Sequence, residues 1–561
     1  MAVVKTGLGL RNPLEREQQS RAVATGLGLQ NPLARREQLS PGRPVSIADK
    51  AQLLFGPVGG TPGRPPHVES QLQRPAATFT STARGNFGHV VVIPTQNRPL
   101  FLNRCVESIV ENMRRFGYSR KIKIVVVDDS TEPRFEKANA RVLERFGKKY
   151  PHLAEVVHYD KAKQAQFISR LGAKSGVSLD PFLFPDKSRL KHGFGGVRNL
   201  SLLVAMRHAA PTDLVTFFDD DIALENLHLT KTNGVTVPTR SHLFNFFSQL
   251  DSVFSNSRVK LVSGRVTKDI KEPQRLIPFF LEKVGLFVKT ARGKKPTELV
   301  GGLASQLTEV PEVGRHLRYN QAFRLLSAYS QGINRRGAFN LGVRYYDPNA
   351  PVLTEIEKTS SLGGANVTLR ADILARSVPY PTANLRGEDS TWSMLMHRLL
   401  DGGVYRINLP VLHHKASSRG IFREYGQSIS FLPVYDVLKQ IVRSDSPAHL
   451  ARQIKINATP EAIRVGHAKI RRLVSSEFAK WDSQVKSSSQ MLADKRSWWH
   501  GDPKLRKATL QLTRNLALFG SSKRNEVYDA VIPPEKMHQS LHEYAGLIET
   551  WPQVLAAVKN V

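Results

Sequence analysis

The chain has almost no sulfur chemistry: Cys105 is the single cysteine in 561 residues. One thiol cannot form an internal disulfide or a cysteine-based zinc site, which fits a reducing, cytoplasmic setting. Long apolar runs are also missing. No stretch reaches the roughly 18 apolar residues that a membrane helix needs. The N-terminal segment holds no apolar core of the kind a secretory signal carries. The expectation is therefore a soluble, cytoplasmic protein with no transmembrane span. Acidic residues are scarce, with 48 Asp and Glu against 81 Lys and Arg, a net charge of +33. The excess is spread along the whole chain rather than held in a tail. Such a surface attracts polyanions: nucleic acid, an anionic membrane face or a phosphorylated polymer. A basic host proteome explains it equally well, because net charge alone does not gather charge on one face.

What is present argues for a folded protein. Hydrophobic residues make up 40% and aromatics 8%, enough for a core and too much for a disordered chain. The length exceeds one ordinary domain. Residues 1–86 read as a flexible arm, rich in Pro, Gly, Gln and Arg and without sustained periodicity. The arm holds one repeat: TGLGLRNPL from Thr6 recurs as TGLGLQNPL from Thr25. Two copies are too few for a solenoid. They are candidate docking peptides for a protein partner, or a duplicated linker with none.

Order is expected from His89. HVVVIPT reads as a buried strand, Leu100 to Phe116 has helical spacing, and KIVVVDDST reads as a second buried strand. Strand, helix, strand at this spacing predicts a parallel βαβ unit. DLVTFFDDDIAL is a later strand that again ends in carboxylates. Ligands of open α/β sheets lie beyond the carboxyl ends of the strands, so these polar strand ends point to one site. The reading is residues 87–424 as the catalytic domain, with an insertion at about 230–350, and 425–561 as a basic helical domain.

Four clusters carry chemistry. Asp219, Asp220 and Asp221 repel one another, and local stability gives no reason to place them together. A divalent Mg²⁺ or Mn²⁺ relieves that repulsion and prefers oxygen ligands shared with substrate phosphates. A solvated acidic loop is the plainer reading. HGFGGVRN at 192–199 precedes an apolar helical run. Its glycines suit close approach to a phosphate at a helix start, and Arg198 suits a diphosphate; a surface turn is the alternative. Glu388 and Asp389 stand at the start of a helix, where a carboxylate serves as a general base or merely as a cap. Gly363 and Gly364 suggest close backbone approach to a ligand or a tight turn. NLPVLHHK places His413 and His414 at a strand end, suited to complete a metal site or simply exposed. Lys415 and Arg419 follow in a basic segment suited to a diphosphate leaving group.

In order, VVIPTQNRP, VVVDDST, GGVRN, FFDDDIAL, GGAN, RGED and PVLHHK resemble the motifs of family 2-like GT-A glycosyltransferases. The resemblance spans about residues 88–420. It implies a Rossmann-like mixed sheet flanked by helices and a nucleotide-diphosphate sugar as donor. It implies that Pro94, Thr95 and Arg98 form the nucleotide-binding end of the first strand, and that Asp128 and Asp129 meet the base or ribose. Arg198 and Asn199 match the pair beside the donor diphosphate. Asp219 and Asp221 match the DXD motif, with Asp220 between them and Asp221 the more direct metal ligand. Asp389 matches the catalytic aspartate of the ED motif, with Glu388 beside it. His413 resembles the late metal-binding histidine, a place His414 can also fill. Gly364 and Arg419 join the donor site. Inverting members of the family use the carboxylate as base in a single displacement.

The acceptor stays open: modified DNA or another polyanion, a protein, a glycan or a small molecule. No QXXRW-like stretch is visible, which argues against a processive membrane synthase. A nucleotidyltransferase is a competing class, but no glycine-rich, lysine-bearing loop lies near the first strand. An inactive nucleic-acid-binding scaffold is a third; the retained acidic and histidine motifs argue against it. Trp481, Trp498 and Trp499 are read as core residues ahead of a nucleic-acid surface.

Overall fold

The computed structural model describes residues 87–561 except 185–191, 233–234, 268–272, 302–316, 335–345, 348–349, 356–361, 363, 383–386, 415–420 and 521–522. The 1–86 arm with its repeat, together with Gly363, Lys415 and Arg419, lies outside the described residues.

Eleven strands occur among the described residues: β1 (His89–Thr95), β2 (Ile122–Asp128), β3 (Ala154–Tyr159), β4 (Leu214–Phe218), β5 (Ile222–Ala223), β6 (Asn226–Thr232), β7 (Val235–Ser241), β8 (Leu261–Thr267), β9 (Leu353–Glu355), β10 (Asn366–Arg370) and β11 (Val404–His413). Nine form one sheet in the order β3-β2-β1-β4-β10-β8-β11-β5, with β9 paired to β11. The β3, β2, β1 and β4 ladder is parallel. β10 runs antiparallel between β4 and β8. β6 and β7 make a separate antiparallel ribbon.

The sheet forms because its strands are apolar on both faces. Along β1, Val90 and Val92 point into one core and Val91 and Ile93 into the other, as the two-residue period of a strand requires. β2 repeats this with Val125 and Val127 against Ile124 and Val126. Helices cover both faces, as parallel sheets demand. Pro99–Arg115, Pro133–Lys149 and Phe246–Phe254 lie on one side. Gly193–His208 and Glu388–Leu400 lie on the other.

The stretch at about 230–350 does not leave the sheet as a unit. It returns β8 to the middle, between β10 and β11, and only then runs into the helices Pro273–Ala291 and Tyr319–Asn334. These helices share a core with Ile421–Ile429, Pro460–Ala493 and Pro503–Ala517. The C-terminal region is helical through to Pro534–Val558. Several of its helices begin at side-chain caps, Ser446 on the His449 N–H and Thr459 on the Ala462 N–H, which satisfy donors a helix start leaves open. Trp481 and Trp499 are buried in this core. Trp498 packs on it and donates its indole N–H to the Ala291 carbonyl at 2.8 Å. No helix among the described residues is long and apolar enough to cross a membrane.

Candidate active site

Sheet register assembles the site. β1 and β4 run parallel with Val92 opposite Phe217. Three residues further along each strand, Thr95 therefore arrives beside Asp220, and its hydroxyl donates to Asp220 Oδ2 at 2.8 Å. β11 pairs His413 with Ile222, so the imidazole meets the preceding carboxylate: His413 Nε2 lies 3.0 Å from Asp221 Oδ1. His414 ties to the same residue through its backbone N–H, which donates to the Asp221 carbonyl at 2.8 Å. Because β10 is antiparallel, its N-terminal end, with Gly364 just before it, reaches this same edge.

The acidic triplet is thus split among partners. Arg98 Nη1 reaches Asp220 Oδ1 at 3.2 Å and Asp221 Oδ2 at 3.3 Å. Asp219 pairs with Arg198. Burial pushes the Asp220 carboxyl up to about 7, against the pull of Arg98; the half-exposed Arg98 side chain is too well solvated to reverse it.

Arg198 is the hinge of the arrangement. It stands between Asp219 and Asp389, with Nε 3.9 Å from Asp389 Oδ1. Burial works against its charge, but Asp219, Asp389, Tyr380 and Glu388 outweigh that and raise its pKa. Asp389 and Glu388 occupy the first turn of Glu388–Leu400, entered through Gly387 at φ 86. Burial pushes the Asp389 carboxyl up to about 7; Arg198 opposes this and Glu388 reinforces it. Gly364 lets that carboxylate approach the chain. A Cβ there would stand 2.1 Å from Asp389 Oδ2, and the Gly364 N–H faces the same group.

The β2 end forms a second cluster. Asp129 accepts from Lys161 Nζ at 2.8 Å, from Gln96 Nε2 at 3.1 Å and from the His192 N–H at 3.1 Å. Asp128, one residue earlier, is fully buried and turned inward. It accepts from Asn139, from the Ser130 N–H and from His158. Burial alone would raise its pKa, but these hydrogen bonds lower it overall. Pro94 is half-buried in β1 opposite Val127.

Asn199, expected beside a diphosphate, has its amide engaged by protein. Its amide donates to the carbonyls of Phe182 and Tyr380 and accepts the Tyr380 N–H, so both ends are used within the protein. The neighbouring glycines serve packing in the same way. A Cβ on Gly195 would stand 2.0 Å from the Pro381 carbonyl, and one on Gly196 1.9 Å from that of Leu183. The GGVRN segment therefore presents Arg198 alone, held by protein on its other sides.

Sequence reasoning missed Lys161 and Tyr380, and gave no role to Gln96 and His192 within the VVIPTQNRP and HGFGGVRN segments. Lys161 lies two residues past the end of β3, and a polar residue near a strand end was a usable signal. Tyr380 lies in no motif and is placed only by contacts distant in sequence.

Asp221 and His413 offer an oxygen and an imidazole donor at 3.0 Å from each other. Among the described residues no group of three or more His, Cys, Asp or Glu is arranged to hold a metal ion. The donor types fit Mg²⁺ or Mn²⁺ in a site completed by substrate phosphates and water, and Asp219 is at present engaged by Arg198.

Residues 90–164 match the family model described as glycosyl transferase family 2. No curated protein matches the chain. Mannosyl-3-phosphoglycerate synthase from Rubrobacter xylanophilus is similar at 15% identity and a TM-score of 0.27, covering 61% of this chain and 72% of that one. A mycobacterial protein is similar at 12% identity and a TM-score of 0.27, covering 62% and 75%. Neither likeness bears on what this chain acts upon. Over residues 90–164 the chain is similar to glycosyl transferase family 2, and its fold is a mixed sheet flanked by helices.

Proposed function

We propose that the chain is a metal-dependent, inverting glycosyltransferase that moves a sugar from a nucleoside diphosphate donor to a hydroxyl acceptor. One observation carries the reading: Arg198 stands between Asp219 of the acidic triplet and the ED carboxylate Asp389. In this reading Asp389 accepts the proton of the acceptor hydroxyl as its oxygen attacks the anomeric carbon opposite the nucleotide. Arg198 and Arg98 supply positive charge where the diphosphate departs. Asp221 and His413, with Asp219 once released from Arg198, would hold a divalent cation, which neutralises the leaving group when bound. Thr95, Gln96, Asp129 and Lys161 line the nucleotide end. Residues 87–424 carry this chemistry, and 425–561 add a basic helical region. A cytoplasmic workplace fits the single cysteine, which is buried.

The net charge of +33 favours a polyanionic acceptor such as modified DNA over a neutral one. The test is a panel of nucleotide sugars with Mn²⁺, reading release of nucleoside diphosphate. One donor should turn over slowly by hydrolysis. That turnover should vanish with chelator and fall at least about a hundredfold in Asp221→Ala. Turnover that survives chelation would sink the metal-dependent reading. The acceptor search then starts with DNA, and transfer should weaken steeply between low and moderate salt.

A further inference from the structure

Two buried polar atoms beside the reaction centre make no hydrogen bond. Asp389 Oδ1 is buried without a hydrogen bond, and so is Arg198 Nη1. Tyr380 is 3% exposed, and among the described residues nothing hydrogen-bonds its hydroxyl. Buried polar atoms are nearly always satisfied, so two together mark a place meant for another molecule.

Tyr380 is held there from every side. Its ring stacks on Trp392 at 5.0 Å and 8°, and Trp392 is one turn after Asp389 on the same helix. Its backbone N–H and carbonyl are both taken by Asn199, the residue after Arg198. On its N-terminal side the Pro379 carbonyl accepts from the Tyr544 hydroxyl at 2.7 Å. On its C-terminal side Pro381 abuts Gly195. No such clamp is needed to bury a phenol; it fixes where the hydroxyl stands.

We infer that Tyr380 donates a hydrogen bond to a hydroxyl of the sugar ring bound between Arg198 and Asp389. The inference rests on the glycosyl-transfer reading above and adds to it a contact outside the motifs. Arg198 Nη1 and Asp389 Oδ1 supply a donor and an acceptor to the same ring, so that a sugar carrying several hydroxyls satisfies all three groups at once. Burial, and then the charge of Asp389, raise the phenol pKa, which keeps the hydroxyl protonated and able to donate. The hydroxyl recognised belongs either to the donor sugar or to a sugar acceptor; the chemistry is the same.

The test is Tyr380→Phe in the full chain, which keeps the ring on Trp392 and removes only the oxygen. The probes are the nucleotide sugar that turns over and its bare nucleoside diphosphate, with binding read by calorimetry and turnover read at saturating donor. The free variant should melt at or above the wild-type temperature, since no protein bond is lost. If the donor sugar is read, the preference for nucleotide sugar over nucleoside diphosphate should shrink up to about tenfold, the worth of one neutral hydrogen bond. If the acceptor is read, binding stays unchanged and transfer at saturating donor slows by a similar factor. A clear fall in melting temperature would make the hydroxyl structural and overturn the inference. So would wild-type binding together with wild-type turnover. A wild-type protein that binds no nucleotide sugar removes the glycosyl-transfer reading and this inference with it, and that outcome is seen without any variant.

Discussion

Asp389 meets two opposed demands. As a base it must be charged, yet burial raises its pKa to about 7, and Glu388 adds to the rise while Arg198 resists it. The rate should therefore climb as pH rises through about 7, as the carboxyl loses its proton, and a pH profile of turnover would show that limb. Stability should run the other way. The folded state holds the proton more tightly than the unfolded chain, whose carboxyl titrates near 4. The contribution of Asp389 is thus complete below about pH 4 and is lost as pH rises towards 7. Asp389→Asn removes that loss. We expect turnover to fall about a hundred- to ten-thousandfold, while the melting temperature equals or exceeds that of the wild type at pH 8. Because about a third of the side chain still meets solvent, the gain is small. A variant that melts lower at pH 8 than at pH 5, relative to wild type, would show that the carboxylate is structural.

At the scale of elements, the strand ends were legible and the clamps were not. HVVVIPT, KIVVVDDST and LVTFFDDD announce buried strands with polar ends, because strands covered on both faces must be apolar throughout. The parallel pairing of the first two, and the convergence of Thr95, Asp129 and Asp221 on one edge, follow from that. The return of β8 to mid-sheet did not show, since a strand of seven residues between long irregular stretches has no local signature of its place in the order. The protein partners of Asn199 were illegible for a related reason. Its partners are Phe182 and Tyr380, the latter 181 positions away, and an amide clamp across that distance leaves no spacing to read. The clamp is testable. Asn199→Ala leaves two buried carbonyls and one N–H unpaired, each costing about 1–3 kcal/mol. The denaturant midpoint should fall strongly, by an amount at the upper end of single-residue effects. Asn199→Ala should also lower turnover in any variant that still folds, because the same amide fixes Tyr380 next to Arg198. A small change in midpoint would mean that the segment around Tyr380 is held by other contacts.

At the scale of the molecule, the two ends of the chain should tolerate removal very differently. Deleting residues 1–86 removes a segment with no apolar periodicity, and donor turnover should survive it. Cutting after Glu424 removes residues that are core to what remains. Trp551 packs on Phe182 with ring centroids 5.2 Å apart, and Tyr544 bonds the Pro379 carbonyl. Leu541, Ile548 and Val554 belong to the same buried cluster as Trp392 and Leu395. Tryptophan, tyrosine and leucine side chains of this kind each contribute about 1.5–3 kcal/mol or more when fully buried, while a folded domain holds only about 5–15 kcal/mol in total. Losing a handful of them exceeds that margin. The 87–424 fragment should therefore be insoluble or melt without cooperativity, whereas 87–561 should melt cooperatively and release nucleoside diphosphate at the full-length rate. The measurement is soluble yield and a thermal melt of both fragments beside a turnover assay. A soluble 87–424 fragment that turns over donor would show that the C-terminal helices are an addition rather than a wall of the core. Failure of 87–561 instead would assign the repeated arm a part in catalysis.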